Sequence, residues 1–314
     1  MNNNISVQII EGLHDIKPNY KANKYPQPGH VALPRMFWVG LWIAARGGGK
    51  TYSCAQLLKM YETHGVFDAK TGEECIQRVI LMSPTVEANP VWSSLQHLDP
   101  SDVHGCYSDK LLVKVIEDIR REAEATETYL RRVRAWKRAM KARHMHEISK
   151  KDMEILMETQ FNDPREWGEQ PRFTKPVVNF LILDDLVGSD AFKAVGKSEL
   201  TQVLLRNRHM RLNIAILAQS LKSVPRTIRM NSSVFVLFRF ANTKVILDLH
   251  EEVSNMLTEQ EFEELYKYAT SEDHGCLIID QTQPDKSQRF KLGWDSLILR
   301  QNLQGLLLEQ PRSN

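Results

Sequence analysis

No apolar run in this chain of 314 residues approaches the ~20 residues needed to cross a bilayer; the longest are strand-sized. No secretory leader is expected either, because the chain opens on the polar Met1-Asn2-Asn3-Asn4. Cysteine is scarce. Cys54, Cys75, Cys106 and Cys276 are scattered, without the close pairs that zinc or a redox switch would use. They read as core thiols of a reducing compartment. Internal repeats and low-complexity tracts are lacking as well. These absences leave a soluble, non-secreted protein with no membrane partner as the expectation. Its length suits one large domain or two small ones. With 42% apolar and 25% charged residues, the composition is that expected of an ordinary soluble globular protein.

The formal net charge of +2 hides an uneven distribution. Between Arg131 and Lys151 there are nine Lys and Arg against one Glu, so the rest of the chain is acidic on balance. Charge concentrated in this way bears on partners more than the total does.

Short, continuous apolar runs recur along the chain: 36–44 (MFWVGLWIA), 78–82 (RVILM), 177–183 (VVNFLIL), 212–217 (LNIAIL), 234–240 and 276–280. Runs of this length between helical stretches predict strands covered on both faces. The implied fold class is α/β with a mostly parallel central sheet, whose chemistry lies at the carboxyl ends of its strands. A further short strand is expected at Ile5 to Ile10, ahead of a loop-like stretch. From Asp109 to Arg143 the apolar spacing of three and four predicts one helix roughly 50 Å long. Ser149 with Asp152 would cap a shorter returning helix, and Thr258 with Glu261 a helix through Tyr268. The expected organisation is an N-terminal extension (1–35), a core (36–108 and 161–294), a helical insertion (109–160) and a C-terminal helix and tail (295–314).

The first run passes into AARGGGKT, residues 44–51, and then into a helix that ends near Gly65. A strand turning through glycines into a helix aims several backbone N–H groups at one point, where the helix dipole adds positive charge. Ala45, Arg46, Gly47, Gly48, Gly49, Lys50, Thr51 and Tyr52 are therefore the candidate ATP-binding residues. Lys50 would reach the β- and γ-phosphates, and the Thr51 hydroxyl would hold Mg²⁺. Ala44 stands where the phosphate-loop pattern has its first glycine, which is tolerable if the backbone there is extended. Arg46 is either a second phosphate ligand or a solvated side chain.

The run at 180–185, FLILDD, ends in two carboxylates. Asp184 would hold the metal and Asp185 would polarise the attacking water. Gln219 follows the next apolar run. Its amide can hydrogen-bond both the water and the γ-phosphate, which makes it a candidate catalytic residue.

Residues 216–240, ILAQSLKSVPRTIRMNSSVFVLFRF, resemble the third motif of the poxvirus-type genome-packaging ATPases of large eukaryotic DNA viruses, in the FtsK–HerA superfamily. Gln219-Ser220, Pro225, Ile228-Arg229, Asn231 and Phe238-Arg239 carry the match. Arg208-His209, Asn213-Ile214, Ser83-Pro84-Thr85 and Asp184-Asp185-Leu186 extend it over about residues 36–280. The resemblance implies a RecA-like P-loop fold with Walker A and B motifs. It also implies a homo-oligomeric ring, a pentamer or hexamer, that threads double-stranded DNA into a capsid at a portal vertex. The setting would be a virion or a viral factory in the host cytoplasm or nucleus. Each ATP site would be completed by an arginine of the neighbouring subunit: Arg208 first, then Arg206 or Arg229.

The basic stretch from Arg131 to Arg143 has three readings: a DNA-contacting surface, a solvated helix face and a capsid-docking arm. The loop Lys222 to Arg229 is a rival DNA contact. Three other functions stand beside the motor. A phage-type terminase would need a nuclease domain, for which fewer than a hundred residues remain after Gln219. A nucleotide-binding module for capsid assembly or DNA recruitment would bind ATP without hydrolysing it, and a small-molecule kinase would need an acceptor site that the chain does not display.

Overall fold

The computed structural model describes residues 25–298, apart from residues 97, 167, 169, 187–191, 193–197, 241–247 and 252–256. The strand expected at Ile5 to Ile10 and the C-terminal helix beyond Ile298 lie outside the described residues.

A nine-stranded sheet organises the chain. Its parallel strands are β2 (Val39–Ile43), β4 (Ile76–Met82), β5 (Val103–His104), β6 (Val177–Asp184), β7 (Leu212–Ala218) and β8 (Val234–Phe238). Antiparallel β9 (Cys276–Asp280), β10 (Phe290–Leu292) and β11 (Ser296–Leu297) extend one edge, giving the order β11-β10-β9-β8-β2-β7-β6-β4-β5. A separate two-stranded ribbon pairs β1 (Gln27–Pro28) with β3 (Val66–Phe67).

Each expected apolar run from 36 to 280 contains a strand. The first is shorter than expected, because Phe37 takes a left-handed φ of 69° and bends the chain before β2. The Asn213 carboxamide oxygen holds that bend, accepting from the backbone N–H groups of Phe37 (2.6 Å) and Trp38 (3.2 Å). Alternate strand residues fill two cores, as a sheet covered on both faces requires. Val39, Leu41 and Ile43 join one, while Trp38 and Trp42 join the other.

Helix α1 (Lys50–His64) covers the tryptophan side and ends at Gly65, whose N–H donates to the Tyr61 carbonyl (2.8 Å). The opposite face carries α2 (Asp109–Ala139), α4 (Glu199–Arg206), α5 (Arg226–Met230) and α6 (Glu259–Ala269). At 31 residues α2 is about 46 Å long, ending slightly before Arg143. Leu112, Val115, Ile116 and Ile119 tie its first turns into the sheet's core. Its later turns pack on α3 (Lys150–Glu158), capped by the Ser149 hydroxyl as predicted, with Arg138 bridging to Asp152 (2.9 Å). Thr258 and Glu261 form the expected capping box on α6. Three cysteines are buried, but Cys106 is exposed, on the loop before α2, so it is not a core thiol. Among the described residues no helix is long and apolar enough to cross a membrane.

Candidate active site

Along the parallel core the chain order of strands is not their spatial order. β7 lies between β2 and β6 and pairs with both, Ile43 facing Ala218 and Asp184 facing Leu217. The ends of three strands far apart in sequence therefore meet at one edge. This arrangement, with one strand interposed between the phosphate-loop strand and the acidic strand, is the RecA-like P-loop fold, as expected.

The loop after β2 turns through Gly47 (φ 76°) and Gly49 (φ 96°), left-handed angles that favour glycine. Ala44 is fully buried and is not among the residues of positive φ. A Cβ added to Gly48 would meet the Ala44 methyl at 2.8 Å. Room for Ala44 is thus created by the absence of a side chain at Gly48. Lys50 begins α1 and its Nζ donates to the carbonyls of Ala44 (2.8 Å) and Ala45 (3.1 Å). Partial burial lowers its pKa, against the opposing pull of Asp184 and Asp185.

Thr51 donates its hydroxyl to Asp184 Oδ2 (3.2 Å), and Gln219 Nε2 donates to Asp185 Oδ1 (2.8 Å). Burial pushes the Asp184 carboxyl up to about 6, the Thr51 hydrogen bond opposing the shift and the neighbouring Asp185 adding to it. Asp185 follows β6 with φ 55°, a left-handed conformation that aspartate adopts more readily than most residues.

Arg46, Gly47, Lys50, Thr51, Asp184, Asp185 and Gln219 share a cavity of about 250 Å³. Thr85, Ala88 and Asn89, from the loop after β4, close its side. Of these only Thr85 carried any signal in the sequence, within the Ser-Pro-Thr match. Across Gly47 lies a second cavity of about 830 Å³, lined by Gly49, Tyr52, Tyr268, His274 and Trp294 among others. Tyr52 thus belongs to this larger space and not to the phosphate side. The contributions of Tyr268, His274 and Trp294 had no sequence signal, because nothing in their spacing ties them to the glycine loop.

Arg208 is not brought to this site. It is exposed on the turn before β7, at the opposite end of the strand that carries Gln219. Arg206 is exposed at the end of α4, on the same side. Arg229 is half-buried and donates to the carbonyls of Leu221 and Val224, both 3.2 Å. In the basic stretch Arg138 is paired with Asp152 and Arg134 approaches Glu127 (3.8 Å), while Lys137, Lys141 and Arg143 are exposed.

No protein-family model matches this chain, and a search of curated proteins finds no match. Among solved structures it is similar to the genome-packaging NTPase B204 of Sulfolobus turreted icosahedral virus 2 in complex with AMP. That likeness is 13% identical with a TM-score of 0.46, covering 83% of this chain and 98% of the other. It is also similar to B204, the DNA-packaging ATPase of Sulfolobus turreted icosahedral virus (14%, TM-score 0.42, 82% and 97%). A third likeness is to ATPases 2 and 3 of EssC from Geobacillus thermodenitrificans (13%, TM-score 0.42, 86% and 42%). All three likenesses are distant.

Proposed function

We propose that this chain is an ATPase that hydrolyses ATP with Mg²⁺ and uses the energy, in a homo-oligomeric ring, to drive double-stranded DNA into a viral capsid. One observation carries the catalytic part. The N–H-rich loop, Lys50, the Thr51–Asp184 pair and the Asp185–Gln219 pair converge on one cavity. In this reading the triphosphate occupies that cavity and the nucleoside extends past Gly47 into the larger one. Lys50 exchanges its two carbonyl partners for phosphate oxygens. Asp185 accepts the proton of a water that Gln219 orients. The water oxygen bonds to the γ-phosphorus as the bond to the β,γ-bridging oxygen breaks, releasing ADP and phosphate.

The donor set suits Mg²⁺. A hydroxyl and a carboxylate are hard oxygen ligands, and Asp184 is a buried acid whose raised pKa a cation would relieve. Thr51 and Asp184 would hold the ion, which when bound neutralises charge on the phosphates.

The motif order that resembles packaging ATPases supports the DNA and capsid part, and exposed Lys222 and Arg226 are the proposed DNA contacts. Arg208, remote from its own site, remains the first candidate for a neighbour's transition-state arginine.

Steady-state ATP hydrolysis with Mg²⁺, with and without double-stranded DNA, tests the proposal against Lys50→Ala and Asp185→Asn. DNA-stimulated turnover abolished by both substitutions is the expected result. A wild type that binds ATP but turns over no faster than Asp185→Asn favours the assembly module instead, in which Gln219 keeps Asp185 occupied.

A further inference from the structure

The basic stretch has a counterpart of opposite sign elsewhere in the chain. Residues 131–151 hold nine Lys and Arg against one Glu, and residues 248–273 hold nine Asp and Glu against one Lys. Among the described residues the two segments lie towards opposite ends of the parallel strands. Glu122 of α2 meets Arg78 near the start of β4, and Arg134 shares a cavity with Asn179, Met210 and Arg211 where β6 and β7 begin, whereas Tyr266 of α6 donates to the Phe238 carbonyl at the end of β8. β7 is seven residues long, so the two ends are on the order of 20 Å apart at the usual rise per residue. The described ion pairs of each segment stay local: Arg138–Asp152 and Arg134–Glu127 on one side, Lys267–Glu263 on the other.

We infer that the hairpin of one copy docks on the α6 region of the next, forming a head-to-tail interface between identical chains. Complementary patches at opposite ends of one chain generate a heterologous contact, which closes into a ring or propagates as a filament. Local stability does not account for the sign of the charge on the hairpin. Lys150 and Lys151 are exposed in the first turn of α3, where the helix dipole disfavours cations. Met140 and Met145 stand about two-thirds exposed at the hairpin tip, and Tyr268 is half-exposed on α6, giving both surfaces an apolar contact inside the charged rim. The far end of α6 leads into Glu272 and His274, which line the larger cavity beside the phosphate loop. A docked hairpin therefore lies beside the larger cavity, and with the nucleoside placed there assembly and nucleotide occupancy are coupled. This assignment rests on the proposed function in taking the protein to self-associate, and its coupling to nucleotide rests on the nucleoside occupying the larger cavity.

The test is a charge swap in the full chain, read by sedimentation velocity at low and high salt. Lys141→Glu with Lys150→Glu and Lys151→Glu, or Glu251→Lys with Glu259→Lys and Glu264→Lys, should each weaken self-association on the order of 100-fold. Combining the two sets should restore it. At ~1 M salt the wild type should dissociate as screening shortens to ~3 Å. Lys150→Glu and Lys151→Glu agree with the α3 dipole, so the hairpin set should keep the wild-type melting temperature. A wild type that stays monomeric with and without ATP overturns the inference, as does assembly that neither set weakens or a combined variant that stays weak. Loss of double-stranded DNA binding in the hairpin set, at unchanged assembly, overturns it too and makes the hairpin a phosphate-reading surface. Phosphate release by wild type against Lys50→Ala is scored separately, so failure of the motor reading and failure of this interface are distinguishable.

Discussion

Where the parallel strands begin, Arg78 is buried at 6% exposure, and its guanidinium is met by both oxygens of Asp102 and by Glu122. Arg172 reaches the same two acids and Asp99, whose carboxyl is held down at about 2 by hydrogen bonds from Ser101 and Arg172. Where the strands end, Lys50 has only carbonyl partners and Asp184 is pushed up to about 6. Both ends concentrate charge. At the first, every described charge has an opposite partner in contact, which is how buried ions are made tolerable. At the second, positive and negative groups line one cavity without direct pairing, an arrangement that costs stability and leaves each group free to act on a ligand. The contrast fits the first as architecture and, under the proposed function, the second as chemistry.

The strongest way to sharpen that contrast is at the carboxyl end. Lys50→Ala should lower ATP turnover by about 10²–10³-fold while leaving the melting temperature nearly unchanged, in phosphate-release and calorimetric assays run on one preparation. Asp102→Ala should do the reverse. Leaving Arg78 buried without its main partner should cost about 3–5 kcal/mol in urea unfolding, with turnover per folded molecule retained.

Asp184→Asn should stabilise the nucleotide-free protein by about 1–3 kcal/mol at pH 7, since it removes a charge that burial disfavours. The sign follows from the raised pKa. An acid that titrates near 6 when folded and near 3.8 when unfolded costs stability above 6 and nothing below 3.8. The stability gap between variant and wild type should therefore close as pH falls through that window, and a gap that widens would contradict the assignment.

The smallest effect concerns the hairpin. Arg138 lowers the pKa of Asp152, so their bridge contributes above the usual carboxylate range and is lost as pH falls below it. Because Arg138 is largely exposed, Asp152→Asn should cost no more than about 1 kcal/mol, visible as faster hydrogen exchange in α3 at neutral pH. That difference should disappear in acid.

Much of this was legible in advance because each signal was local. Apolar runs 36–44 and 177–183 read as strands because both faces are buried, and Ser149 and Thr258 read as caps because capping needs only three residues. The glycine loop was legible for the same reason: a strand, glycines and a helix start lie in one stretch. The early end of the first run was not, because the bend at Phe37 is held by Asn213, far along the chain. Nor were Asn89, His274 and Trp294, which reach the two cavities only through strand order and loop packing. Cys106 misled because cysteine usage reports a compartment and not the exposure of a given thiol.

By itself the sequence determined which segments are strands, which glycine turn opens a helix and which strand ends carry acids, since these follow from side-chain period, glycine's backbone freedom and the chemistry of carboxylates. The tertiary structure alone decided that β7 lies between β2 and β6, so that Gln219 meets Asp185 and Thr51 meets Asp184. It also decided that Arg208 points away from the site that its own chain builds. Strand order is settled by how helices pack on two faces at once, a property of the whole chain that no local window of residues contains.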